Sequence, residues 1–164
     1  MRFTGDSTVY RNRPFAGLRA SEIERLDWAN INFDENEIAV TGDGESHKSE
    51  RHVDMLPNLR EWLLPLRKVS GKVAPENLRK HFDQAREAAG IDEWPNNALR
   101  HSFGSYHLKH FGNDAHTRLQ MGHWRDSAVL FNHYRRAVTR RNAERYWNIR
   151  PIATEKIVPL VSAS

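Results

Sequence analysis

The feature that most constrains this sequence is a change of hydrophobic period at Pro57. Before it, Glu37-Ile38-Ala39-Val40 and Arg51-His52-Val53-Asp54-Met55 read as short strands; after it, apolar residues recur at helical spacing. The Gly- and Ser-containing segment 41–50 joins the two strands, which predicts an antiparallel hairpin with a long tip. Pro57 opens a helix whose Leu59, Trp62, Leu63 and Leu66 fall at i, i+3, i+4 and i+7. A second helix is predicted from Pro75 through Leu78, Phe82 and Ala85 to a stop at Gly90. A third runs from Asn97 to about Phe111 with Leu99, Phe103 and Tyr106 on one face, and shorter ones cover 114–121, 126–136 and 139–148. Upstream, Ser21-Glu22-Ile23-Glu24 reads as a capping box that starts a short helix after Arg19, with Ile23 and Leu26 turned inward. The predicted fold class is therefore α+β and mainly helical, with a small antiparallel sheet near the N-terminus. Residues 1–14 read as an irregular lead-in, 15–150 as one domain, and 151–164 as a C-terminal arm with an apolar patch from Ile157 to Val161.

Composition narrows the function. The 164 residues suit one domain with its own core. No apolar run approaches the roughly 20 residues of a membrane-spanning helix, and the opening residues carry no signal-peptide core, so a cytoplasmic, membrane-free protein is expected. The absence of cysteine excludes disulfides, thiolate zinc sites and cysteine nucleophiles. Charge is divided unevenly: residues 1–95 hold 14 Lys/Arg against 17 Asp/Glu, whereas 96–150 hold 10 against 3, an excess of seven positive charges. Such a segment suits a polyanion, most commonly a nucleic acid, with Arg100, Arg118, Arg125, Arg135 and Arg136 as candidate phosphate contacts.

Individual residues each admit a plain structural reading. Arg100, beside Leu99 on the face that must be buried, is either a structural ion pair or an anion ligand. His123, after a short helix, could be a loop histidine satisfied by backbone, Tyr134 a core aromatic with its hydroxyl at the rim, and Lys48 one more solvated lysine on a turn. Five of the nine histidines lie between His101 and His123, and His107 and His110 share i, i+3 spacing. With no Glu at metalloprotease spacing and no cysteine, no metal site is expected there.

Taken together, Phe15-Ala16-Gly17-Leu18-Arg19-Ala20-Ser21-Glu22-Ile23, Lys48 on the hairpin, Leu99-Arg100-His101-Ser102-Phe103, Gly122-His123 and His133-Tyr134 resemble the ordered signatures of tyrosine recombinases, the phage-integrase family. The resemblance covers about residues 15 to 148, and the order Arg, Lys, Arg, His, Tyr is its informative part. It implies the tyrosine-recombinase catalytic fold, and an enzyme that breaks and rejoins double-stranded DNA without cofactor or metal, as a homo-oligomer on the DNA.

In that reading Arg19, Arg100 and His123 donate to the phosphate oxygens as negative charge grows on them. Tyr134 is the nucleophile, and Lys48 protonates the departing 5′ oxygen. The family's usual histidine three positions before the second arginine is replaced by Asn97. One turn of helix through both would set Asn97 and Arg100 on one face, where the amide can donate to phosphate but cannot shuttle a proton. Only 14 residues precede Phe15, so the resemblance implies either the catalytic fragment of a longer recombinase or a truncated remnant without the DNA-clamping domain. The same residue set resembles type IB topoisomerases, but the Gly-Leu-Arg-x-Ser-Glu and Gly-His strings favour the recombinase. The rivals are an inactive recombinase remnant serving as a DNA-binding module and an unrelated metal-dependent histidine protein.

Overall fold

The computed structural model describes residues 14–42, 50–122 and 138–151. Lys48, His123 and Tyr134, the expected helix at 126–136 and the arm beyond 151 lie outside them. The chain opens with α1 (Ala20–Arg25) and a 3₁₀ turn (Trp28–Asn30), followed by three short strands, β1 (Ile31–Asn32), β2 (Glu37–Val40) and β3 (Arg51–Asp54). Helices α2 (Pro57–Leu63), α3 (Leu78–Ala88), α4 (Ala98–Phe111), α5 (Asp114–Met121) and α6 (Arg140–Trp147) complete it. The mainly helical α+β expectation holds, as do the hairpin strands and the helix at 114–121.

The strands form one antiparallel sheet in the order β1-β2-β3, with Ile38 opposite both Ile31 and Val53, and Val40 opposite Arg51. Ile38, Val40 and Val53 are buried, so the two-residue period places Arg51 on the inward face as well. β1 was not foreseen. It is only two residues long, too short to show a period, and is set by the turn in which Asn32 Oδ1 accepts from the N–H groups of Asp34 and Glu35, both at 3.0 Å.

Three boundaries differ from expectation, each for a local reason. The N-cap of α1 is Arg19, and it is Glu22, not Glu24, whose carboxylate reaches back to the cap N–H, at 2.6 Å; Ser21 lies inside the helix. The helix after Pro57 tightens into a 3₁₀ turn over Leu64–Leu66, because Pro65 has no N–H to continue the α-helical ladder. The helix expected from Pro75 begins only at Leu78, because its N-cap Asn77 sits in the left-handed region at φ 57°.

Ile23, Ile38, Val53, Leu59, Leu63, Phe103 and Met121 are almost fully buried and join sheet, α1, α2, α4 and α5 into one core. At the far end α4 meets α6 through rings: Tyr106 stacks on Tyr146 at 4.1 Å, and Trp147 stands edge-on to Phe103 at 5.8 Å. Burial pushes the Tyr146 phenol up from its usual range, and its hydroxyl donates to the carbonyl of Pro14. No helix among the described residues is long and apolar enough to cross a membrane.

Candidate active site

α5 ends at Met121, and Gly122 closes it in the left-handed conformation at φ 63°, leaving the carbonyls of the last turn without intrahelical partners. Three arginines from three different elements take them up. Arg51, on β3, donates through Nε to Gln120 O at 3.2 Å. Arg100, on α4, donates to Met121 O and, with a second guanidinium nitrogen, to Gly17 O. Arg19, the N-cap of α1, donates to Gly122 O at 3.0 Å. Positive charge at a helix C-terminus is favourable, and here it comes from segments 21 to 103 residues away in sequence.

Glu22 ties two of these arginines together. Its Oε1 accepts from Arg19 at 2.7 Å and from Arg51 at 2.8 Å, while Oε2 accepts a second Arg51 bond at 3.0 Å besides the Arg19 backbone N–H. Burial by itself would raise the Glu22 carboxyl. The Arg51 fork, the Arg19 N–H and the two positive charges outweigh it and hold the group at about 2. Glu22 is thus an anion throughout the physiological range.

Glycine is required where the cluster is tightest. A Cβ on Gly122 would come within 3.0 Å of the Arg51 guanidinium carbon. A Cβ on Gly17, at φ 64°, would come within 2.5 Å of the Phe103 ring. The glycines of the Phe15–Ile23 and Gly122-His123 strings therefore have a packing reason: one lets the chain pass over Phe103 to present Arg19, the other lets α5 end against Arg51.

Of the residues singled out in the sequence, Arg19 and Arg100 converge on the same helix end. They differ in access, the Arg19 side chain being 43% exposed and Arg100 buried. Arg100 donates here to two backbone carbonyls. Asn97 departs from expectation: it is the N-cap of α4, outside the helix, in the left-handed region at φ 56°, and exposed. Asparagine tolerates that conformation better than most residues, which gives this position a backbone reason for its identity. Arg118 is paired with Asp114 at 3.3 Å, one turn away on α5. His107 is buried, within 2.8 Å of Thr117 Oγ1 through Nδ1, and burial together with the nearby His116 and His110 holds it down at about 3, hence neutral.

Sequence reasoning passed over Arg51, Glu22 and Gln120. A signal for Arg51 was present: at two-residue spacing it shares a face with Val53 and Met55, and an inward-facing arginine demands a buried anion. Gln120 joins β3 to α5 in three ways. Its carbonyl receives Arg51, its Oε1 accepts the Asp54 N–H at 2.8 Å, and its Nε2 lies 3.1 Å from His116, which in turn meets Asp54 at 2.9 Å.

Residues 15–141 match the family model of the phage integrase family. The chain belongs to the phage integrase family. Among solved structures it is similar to the XerA recombinase, with 20% identity, a TM-score of 0.64, and coverage of 88% of this chain and 56% of that one. It is also similar to the Tn1549 transposon integrase, solved in complex with a circular intermediate DNA and with transposon right end DNA, at 17% identity and a TM-score of 0.58, covering 85% of this chain and 57% of that one. The tyrosine-recombinase catalytic fold expected from the motif order is thereby established. This integrase-family chain spans a little over half the length of those structures. No curated protein matches it.

Proposed function

We propose that this chain is the catalytic part of a DNA strand-breaking and rejoining recombinase that works through a 3′-phosphotyrosyl intermediate. The observation that carries the reading is the convergence of Arg19 and Arg100 on the last turn of α5, immediately before His123 in the chain. The family's arrangement needs two guanidiniums and an imidazole around one phosphate, and the packing of α1, α4 and α5, which brings Arg19 and Arg100 to one helix end, supports that reading. In the proposed step the Tyr134 oxygen, giving up its proton to solvent, attacks phosphorus in line and the P–O5′ bond breaks. The 3′ end becomes a phosphotyrosyl ester, and Lys48 delivers a proton to the leaving 5′ oxygen. A free 5′ hydroxyl attacking the ester reverses the step. Arg19 and Arg100 stabilise the charge on the non-bridging oxygens, with His123, and Asn97 adds an amide donor from the exposed start of α4.

Duplex DNA is the proposed partner, bound by an assembly of copies of the chain. The similarity to the DNA-bound Tn1549 integrase and the excess of seven positive charges in residues 96–150 both support this. Phosphate contacts of this kind weaken steeply with salt and carry little sequence information.

The decisive experiment incubates the protein with a nicked suicide duplex and looks for a covalent protein–DNA band. The band is expected with the natural sequence and absent with Tyr134→Phe. Lys48→Ala is expected to recover on a substrate with a bridging 5′ thiol, whose leaving group needs no proton. A chain that binds DNA but forms no covalent product at saturating DNA is an inactive DNA-binding module instead.

A further inference from the structure

Arg51 is the one member of the arginine cluster that the proposed chemistry does not use, and its surroundings define a role for it. Its side chain is 5% exposed, against 43% for Arg19, so it is sealed away from any substrate that Arg19 meets. It spends two nitrogens on both oxygens of Glu22 and its Nε on Gln120 O. Glu22, itself 6% exposed, also grips Arg19 through side chain and backbone. One carboxylate therefore serves two guanidiniums. Without Arg51, Glu22 and Arg19 would form a closed neutral pair, and the outward-facing guanidinium would lose most of its attraction for an anion.

We propose that Arg51 is a positioning residue that neutralises Glu22, so that Glu22 can orient Arg19 without cancelling its charge toward the scissile phosphate. The inference rests on the reading that Arg19 addresses that phosphate. The anchor and the charge come from different partners: Glu22 fixes the Arg19 geometry, and Arg51 offsets the carboxylate that this fixing requires. Counting Arg19, Glu22, Arg51 and Arg100, the cluster carries two net positive charges. Arg51→Met leaves one, and Glu22→Gln with Arg51→Met restores two.

The test is a titration of the folded protein with inorganic phosphate at constant ionic strength. It follows the arginine Nε–Hε signals by NMR, the Arg19 signal being assigned by its loss in Arg19→Lys. Arg51→Met is expected to weaken phosphate binding at Arg19 on the order of tenfold. Arg51→Lys, which keeps the charge without the fork, and the Glu22→Gln/Arg51→Met pair are expected to bind within about threefold of the natural chain. A purely structural role for Arg51 would instead lower affinity in the double variant as much as in the single one. Should Arg51→Met not fold, Arg51→Gln takes its place, and the double variant still decides. Unchanged phosphate affinity in the folded single variant, or no recovery in the double, overturns the proposal. The suicide-substrate assay is run in parallel. Loss of covalent product with the phosphate pattern intact defeats the recombinase reading alone, and covalent product with a flat phosphate pattern defeats this inference alone.

Discussion

The start and the middle of α4 are buried by opposite means. At the charged end Arg100 lies beneath the surface with its guanidinium donating to the carbonyls of Gly17 and Met121, next to the Glu22–Arg51 pair. From the middle onward, the ring-packed end, Phe103, Tyr106 and His107 meet Tyr146 and Trp147 of α6 in a cluster of rings. Apolar burial is non-directional and tolerates small shifts of its parts. A buried guanidinium tolerates none, since every unmade bond leaves a desolvated donor or carbonyl. The charged end is thus the more exactly specified of the two, and the ring-packed end supplies the stability that lets it stay so.

Single and paired substitutions separate the two regimes with the largest expected effects. Arg51→Met, which takes from Glu22 its buried partner and leaves it Arg19 alone, should cost about 3 kcal/mol in chemical denaturation, and exchanging Glu22 and Arg51 together for apolar residues of similar volume should recover most of it. Phe103→Ala should cost about as much, ~3–5 kcal/mol, and no second truncation among Tyr106, Tyr146 and Trp147 should recover any, because each deepens the cavity. Recovery at the ring end, or none at the charged end, would break the distinction.

Gly17 lies between the two regions: its carbonyl accepts from Arg100, and a Cβ on it would strike the Phe103 ring. Gly17→Ala should destabilise by about 1–3 kcal/mol, from the left-handed φ and from overpacking. Adding Phe103→Leu should relieve only the overpacking part. Denaturation midpoints of Gly17→Ala, Phe103→Leu and the pair test this.

Acid distinguishes the ends by where each begins to fail. His107, lowered from 6.5 to about 3 in the folded chain, leaves the unfolded state binding more protons between those values. Its contribution is complete above pH 6.5 and is lost as pH falls toward 3. Glu22, lowered from 4.5 to about 2, contributes fully above 4.5 and is lost between 4.5 and 2. In urea midpoints measured against pH, His107→Gln should flatten the slope that starts near pH 6.5, and Glu22→Gln should lower the midpoint at neutral pH and flatten the slope only below about 4.5. The smallest effect expected is Arg140→Ala, within about 0.5 kcal/mol, because its contact with Glu144 is 3.6 Å long and its side chain 88% exposed.

Asn97 shows how a residue's sequence neighbourhood can mislead. One helical turn from Arg100 suggested a shared face, yet the residue caps α4 with a left-handed backbone. Asn97→Gly keeps that backbone and removes the amide. Under the proposed function it should slow single-turnover cleavage by roughly 10-fold or less with the fold unchanged, as expected for loss of one donor at the rim of a site.

The sequence by itself determined the parts whose cause is local. Two-residue alternation around Ile38 and Val53, helical spacing from Leu59 to Leu63, and an N-cap followed by a left-handed glycine around Asp114–Met121 depend on neighbours within a turn, and the ordered arginine and glycine strings were legible as a family's pattern. The three-dimensional packing alone decided what those arginines hold. No local rule could assign Gln120, Met121 and Gly122 as acceptors for Arg51, Arg100 and Arg19, because a helix end offers its carbonyls to whichever donors packing brings there. The same holds for Glu22: its place in α1 follows from its spacing after Arg19, but its state as a shared, buried anion exists only once β3 has laid Arg51 against it.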